Sequence, residues 1–105
     1  MEKLQSIEQY EKLKNEERTI FMFAADWCSD CVAIEPILPR IQVDYPEYNF
    51  IYADRDKFID LCGELNIFGI PSFIAFHEGV EAGRFVSKNR KSQEEIEEFI
   101  NTLSN

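Results

Sequence analysis

The order of apolar and polar positions divides the chain into segments of two different periods. Thr19 to Ala25, TIFMFAA, is apolar without alternation, the pattern of a strand covered on both faces, and it predicts the centre of a sheet. Asn49 to Asp54, NFIYAD, reads as a second buried strand. Between them Val32, Ile34, Ile37, Leu38 and Ile41 recur at helical spacing, predicting a helix from Ser29 to about Asp44. Pro36 and Pro39 remove backbone donors, so that helix is expected to kink. Ile7, Tyr10 and Leu13 predict an earlier helix from Ser6 to about Asn15, with Ser6 and Gln9 as a capping box and a short edge strand around Lys3 and Leu4 before it. A short helix is expected from Asp56 to about Leu65.

Ser72 to Phe76 turns at His77-Glu78-Gly79 into Val80 to Val86, which predicts a β-hairpin. The last helix begins at Ser92, whose capping box with Glu95 precedes a buried stripe of Ile96, Phe99, Ile100 and Leu103. The resulting order, an edge strand followed by αβαβαββα, is an α/β sandwich around a mixed sheet. No repeat or Gly/Ser linker interrupts it, and the 105 residues read as a single domain over 1–105.

Composition narrows the function classes. Twenty acidic against eleven basic side chains give a formal net charge of −9, which repels phosphate backbones and anionic lipid surfaces. No nucleic-acid or membrane partner is expected. No apolar run approaches the ~18 residues of a membrane span, and the N-terminal residues lack the apolar core of a signal peptide. With three cysteines, an odd and small number, a secreted disulfide framework is disfavoured and a cytoplasmic protein with a redox or metal-binding pair is expected.

The chemistry concentrates in DWCSDC, residues 26–31. Cys28 and Cys31, at i and i+3 where a helix begins, share one face with Cα atoms roughly 5 to 6 Å apart, within disulfide range. Cys28 at the N-terminal end is favoured as a thiolate by free N–H groups and the helix dipole, which makes it the expected nucleophile. Cys31, one turn in, is the expected resolving thiol. A zinc half-site is the other reading of the pair, but the remaining soft ligands are only Cys62 and His77. Cys62 itself fits either a small core residue or a regulatory thiol, and His77 receives no role.

A buried strand that ends in Ala25-Asp26-Trp27-Cys28-x-x-Cys31 and runs into a helix with Pro36, followed by Ile70-Pro71 and GIPSFIAFHEG, resembles the thioredoxin family over nearly the whole chain. The resemblance implies a thioredoxin fold: a central mixed β-sheet of four to five strands flanked by four helices. It implies a thiol-disulfide oxidoreductase with a redox-active Cys28–Cys31 disulfide and no bound cofactor. Its substrates would be disulfides of proteins or small molecules, and its electron donor an NADPH-dependent thioredoxin reductase. It further implies a substrate groove of Trp27, Ile70, Pro71 and Val86, with Pro71 in cis; apart from the resemblance, the rarity of cis bonds favours an ordinary trans proline opening a strand, and Trp27 reads as a core residue.

Three features depart from that family. Its buried aspartate and the lysine that pairs with it fall at Met22 and Phe50 here, and losing both together avoids a stranded charge. Its usual Gly-Pro between the cysteines is Ser29-Asp30, and a carboxylate in the first turn competes for the dipole and repels the Cys28 thiolate. Asp30 is also a candidate proton relay for Cys31. A groove glycine is replaced by Ser87, whose side chain is expected to narrow close backbone approach. A tryptophan followed by C-x-D-C also looks like the thioredoxin-related proteins with W-C-P-D-C and a narrower substrate range, so a specialised reductase is expected. A thioredoxin-fold adaptor with incidental thiols, and a metal-binding domain, are the alternatives from other classes.

Overall fold

The computed structural model describes residues 1–103. Five strands form one sheet in the order β1-β3-β2-β4-β5, where β1 is Glu2–Lys3, β2 Thr19–Ala24, β3 Asn49–Asp54, β4 Ser72–His77 and β5 Val80–Phe85. β1, β3 and β2 run parallel, while β4 is antiparallel to β2 and β5 to β4. Every residue of β2 is buried, as its uninterrupted apolar run requires.

Alternation along β2 sorts the core into two clusters, because neighbouring side chains point to opposite faces. Ile20, Met22 and Ala24 join one cluster, closed by helices α2 (Ser29–Ile34), α3 (Leu38–Asp44) and α5 (Gln93–Thr102) through Ile34, Leu38, Ile41, Ile96 and Ile100. Phe21 and Phe23 join the other, closed by α1 (Ile7–Lys14) and α4 (Ile59–Glu64) through Tyr10, Leu13, Leu61 and Cys62. This is the α/β arrangement with a mixed sheet expected from the sequence, with residues 29–44 counted as one of four helical units.

The helical boundaries differ from the sequence reading in ways that backbone chemistry explains. Residues 29–44 form α2, a 3-10 turn over Glu35–Ile37, and α3, so the kink is a change of helix type. Each proline occupies the first turn of its piece, where a missing N–H costs nothing. Val32 is exposed and does not belong to the buried stripe. In α1 the stripe reduces to Tyr10 and Leu13, and Ile7 is 50% exposed. Ser6 Oγ accepts the Gln9 N–H at 3.1 Å, but the Gln9 side-chain Oε1 takes the N–H of Gln5 at 2.6 Å, so the reciprocal half of the box is displaced by one residue. The helix expected from Asp56 is shortened to α4, because Asp54 Oδ1 takes the Asp56 N–H at 2.9 Å and folds 54–57 into a turn. The hairpin turn is two residues, Glu78 and Gly79, both at positive φ (50° and 89°), with His77 retained in β4. β5 ends at Phe85, leaving Val86 just beyond it.

Candidate active site

The dithiol is positioned by the junction of β2 and α2. Cys28 is the N-cap of α2, and its Sγ accepts the Cys31 backbone N–H at 3.2 Å. An N–H aimed at that sulfur favours its ionised form once the pair is reduced. Cys28 and Cys31 are joined as a disulfide with Cα atoms 5.2 Å apart. Both cysteines are buried, Cys28 at 8% exposure and Cys31 at 2%. The two differ in position: Cys28 caps the helix and Cys31 lies within its first turn.

Of the residues expected to form a groove, Trp27 adjoins Cys28 in the chain and Ile70 approaches its sulfur. Trp27 is 64% exposed beside it, and its indole N–H donates to Asp56 at 2.6 Å while the Arg55 guanidinium lies 5.7 Å from the ring centre. That indole bond, first, and then Arg55 hold the Asp56 carboxyl below the usual carboxylate range. The Ile70–Pro71 peptide bond is cis, Pro71 is buried, and the Ile70 carbonyl oxygen lies 4.0 Å from Cys28 Sγ. Ser72 anchors this loop by donating its hydroxyl to the Gly69 carbonyl. Val86 is half-buried and packs with Ile70 against the second core cluster.

Two readings of the sequence change here. Ser87 turns its hydroxyl into its own loop, where it binds Lys91 Nζ at 3.1 Å and the Asn89 N–H at 3.4 Å. What lies close to the cis-proline loop is the Ser87 backbone: a Cβ on Gly69 would collide with the Ser87 carbonyl. Ser29 is exposed, and the Asp30 carboxylate is held by Arg90 at 2.9 Å, so the relay role for Asp30 has a competitor for the same oxygen. Arg90 and Asp56 were not recognised as site residues from the sequence. Both act across distance, Arg90 sixty residues from its partner and Asp56 twenty-nine from Trp27, and no local pattern reports such a contact.

Cys62 lies in the second cluster, across the sheet from the dithiol, where burial pushes its thiol up. His77 pairs with Glu78 at 3.4 Å at the hairpin. The soft ligands a zinc ion would recruit are therefore dispersed, and among the described residues no group of three or more His, Cys, Asp or Glu side chains is arranged to hold a metal. No helix among them is long and apolar enough to cross a membrane. Met22, Cys31 and Tyr52 line a cavity of about 230 Å³ together with two carboxylates, Asp26 and Glu35. Burial, and secondarily the charge of Asp26, raises the Tyr52 phenol above its ordinary value.

The thioredoxin family model matches residues 2–102. The chain belongs to the thioredoxin family. It is 30% identical over 84 residues to an H-type thioredoxin of Fagopyrum esculentum, a match covering 79% of this chain and 72% of that protein. It is also 30% identical over 74 residues to the mitochondrial thioredoxin-2 of Schizosaccharomyces pombe, covering 70% of this chain and 56% of that longer protein. The crystal structure of oxidised mitochondrial thioredoxin 3 from Saccharomyces cerevisiae superposes with a TM-score of 0.81 over 96% of this chain and 94% of that one, at 22% identity. The fold is therefore the thioredoxin fold, and the Cys28–Cys31 pair within it supports dithiol-disulfide oxidoreductase activity.

Proposed function

We propose that this thioredoxin is a cytoplasmic protein-disulfide reductase with a narrower substrate range than a general thioredoxin. The observation that carries the chemistry is the pair itself: an N-capping Cys28 that receives a backbone N–H, and a shielded Cys31 one turn away. The Cys28 thiolate attacks one sulfur of a substrate disulfide, breaking that S–S bond and releasing one substrate thiolate, which takes up a proton. Cys31 then loses its proton and attacks Cys28 Sγ, releasing the second substrate thiol and closing the Cys28–Cys31 disulfide. Two electrons and two protons have passed to the substrate. A flavin-containing reductase drawing on NADPH is the proposed donor that reopens the bond, and the protein itself needs no bound cofactor.

The narrower range is supported by the pair of residues between the cysteines, where an exposed Ser29 and a clamped Asp30 stand beside the attacking sulfur. The exposed Trp27 and the Ile70 carbonyl offer an extended substrate one apolar wall and one acceptor. The cytoplasm is favoured by an odd cysteine count with one buried, unpaired thiol. The deciding experiment exposes the Cys31→Ser protein to a native extract and identifies what stays disulfide-linked to Cys28. A small defined set of partners, with reduction of insulin disulfides by the parent and none by Cys28→Ser, is the expected result. Partner binding that survives Cys28→Ser, with no disulfide reduction by the parent, would make the protein an adaptor instead.

A further inference from the structure

The loop from Ser87 to Lys91 brings one side chain onto the first turn of α2, the turn that Cys28 caps. Lys91 is 2% exposed, and its ammonium is turned inward onto the Ser87 carbonyl (3.2 Å), the Ser87 hydroxyl (3.1 Å) and the Asn89 carbonyl (3.1 Å), over the Phe85 ring at 5.1 Å. A buried cation with three acceptors closes the loop on itself. The Ser87 backbone is fixed in turn against Gly69, where no side chain fits between them. With both ends of the loop held, Arg90 reaches α2 and its Nε donates to Asp30 Oδ1 at 2.9 Å.

We propose that Arg90 is a positioning residue of the dithiol chemistry: by holding the Asp30 carboxylate it sets how much negative charge Cys28 meets as a thiolate. The inference rests on Cys28 being the attacking thiol. The charged groups to weigh around Cys28 come from three segments. Asp26 and Asp30 flank it on its own segment. Arg55 and Asp56 stand under Trp27 and pair with each other at 3.2 Å. The 87–91 loop brings Lys88, exposed, Lys91, turned inward, and Arg90. Of these, Asp30 is the carboxylate in the first turn of the helix that Cys28 caps, and Arg90 is the cation bonded to it. The Asp30 side chain is 30% exposed against 71% for Arg90, so the carboxylate is the better sheltered of the two and the guanidinium its lid on the solvent side.

The clamp makes a prediction that fixed charges would not. Charges that stay in place shift a pKa additively, whereas a held Arg90 has its effect only while Asp30 is there to hold it. Arg90→Gln should raise the Cys28 pKa by roughly half a unit, which leaves about threefold less thiolate at pH values below that pKa and slows alkylation about twofold, since a more basic thiolate is the better nucleophile. Arg90→Lys should keep most of the parent value. Asp30→Asn alone should change little, because it removes the carboxylate and releases the guanidinium together. Asp30→Asn in the Arg90→Gln background should bring the pKa back down. The measurement is ultraviolet thiolate absorbance and the rate of alkylation mapped to Cys28, on the reduced full chain, with and without about 1 M salt, where a Debye length near 3 Å should shrink the Arg90→Gln effect. An unchanged Cys28 pKa in Arg90→Gln, or an equal rise in the Asp30→Asn background, would overturn the proposal. Insulin reduction by the same proteins separates the two readings: inactivity of the parent defeats the reductase assignment, whereas an active parent with an unresponsive pKa defeats only the clamp.

Discussion

Tyr10 places its ring against Phe21 at 5.0 Å and Phe76 at 6.2 Å between centroids, on the face of the sheet away from the dithiol. Burial, and then the charge of Glu11, pushes its phenol up from 10.0 to about 12. The folded state thus holds the proton more tightly than the unfolded chain does. Stability from this group is complete below pH 10 and is lost as the pH climbs toward 12. Tyr48 and Tyr52, also raised by burial, add to the same loss. Urea midpoints of the parent should therefore fall more steeply between pH 10 and 12 than those of Tyr10→Phe, and parallel curves would mean that the hydroxyl stays hydrated. The same scale shows what a sequence displays and what it hides. Cys28, Cys31 and Trp27 were legible because their chemistry is local, one helical turn with its N-cap. Arg90 and Asp56 were not, because their partners Asp30 and Trp27 meet them only after the sheet has closed.

At the level of elements, α5 tests how far local signals carry. Its capping box is complete, with Ser92 Oγ accepting the Glu95 N–H at 3.2 Å and Glu95 accepting the Ser92 N–H at 2.9 Å. The helix then lays Ile96 and Ile100 on the first core cluster. Ser92→Ala should cost about 1 kcal/mol in chemical denaturation, without altering the thiolate titration of Cys28; a loss near zero would show that Glu95 alone satisfies the helix start. Boundaries written in reciprocal caps and in two-residue turns were readable: Ser92 and Glu78-Gly79 lie where the residue types placed them, to within one position. Those set by competition were not. The Gln9 side chain bonds the Gln5 N–H and not that of Ser6. Asp54 captured the start of the helix expected at Asp56. The chain from Ser29 to Asp44 changed helix type at Pro36 instead of bending as one helix.

Across the whole molecule, one face of the sheet serves as both core and redox site, since Cys28, Cys31, Met22 and Phe50 share a single cluster. Met22 stands opposite Tyr52 on β3 and Phe73 on β4, with Phe50 two residues along β3 on the same face. An acid and a base at positions 22 and 50 would lie within one apolar layer, and the apolar pair found here removes both. Met22→Asp should destabilise the fold by ~3 kcal/mol or more, because an isolated carboxylate there must be desolvated or protonated. Adding Phe50→Lys should return part of that loss, with a coupling of about 1 to 3 kcal/mol in a double-mutant cycle; strictly additive losses would place the two positions out of contact. The cycle also reaches the chemistry, because Met22 lines the same cavity as Cys31. A carboxylate at position 22 gives the Cys31 proton an acceptor inside that cavity, and the double mutant should resolve a mixed disulfide on Cys28 faster than the parent in single-turnover kinetics. An unchanged rate would mean that the proton already leaves by another path, and the carboxylates that share the cavity with Cys31 are Asp26 and Glu35. Asp30, bound to Arg90 and outside the lining of that cavity, is the weaker candidate of the three.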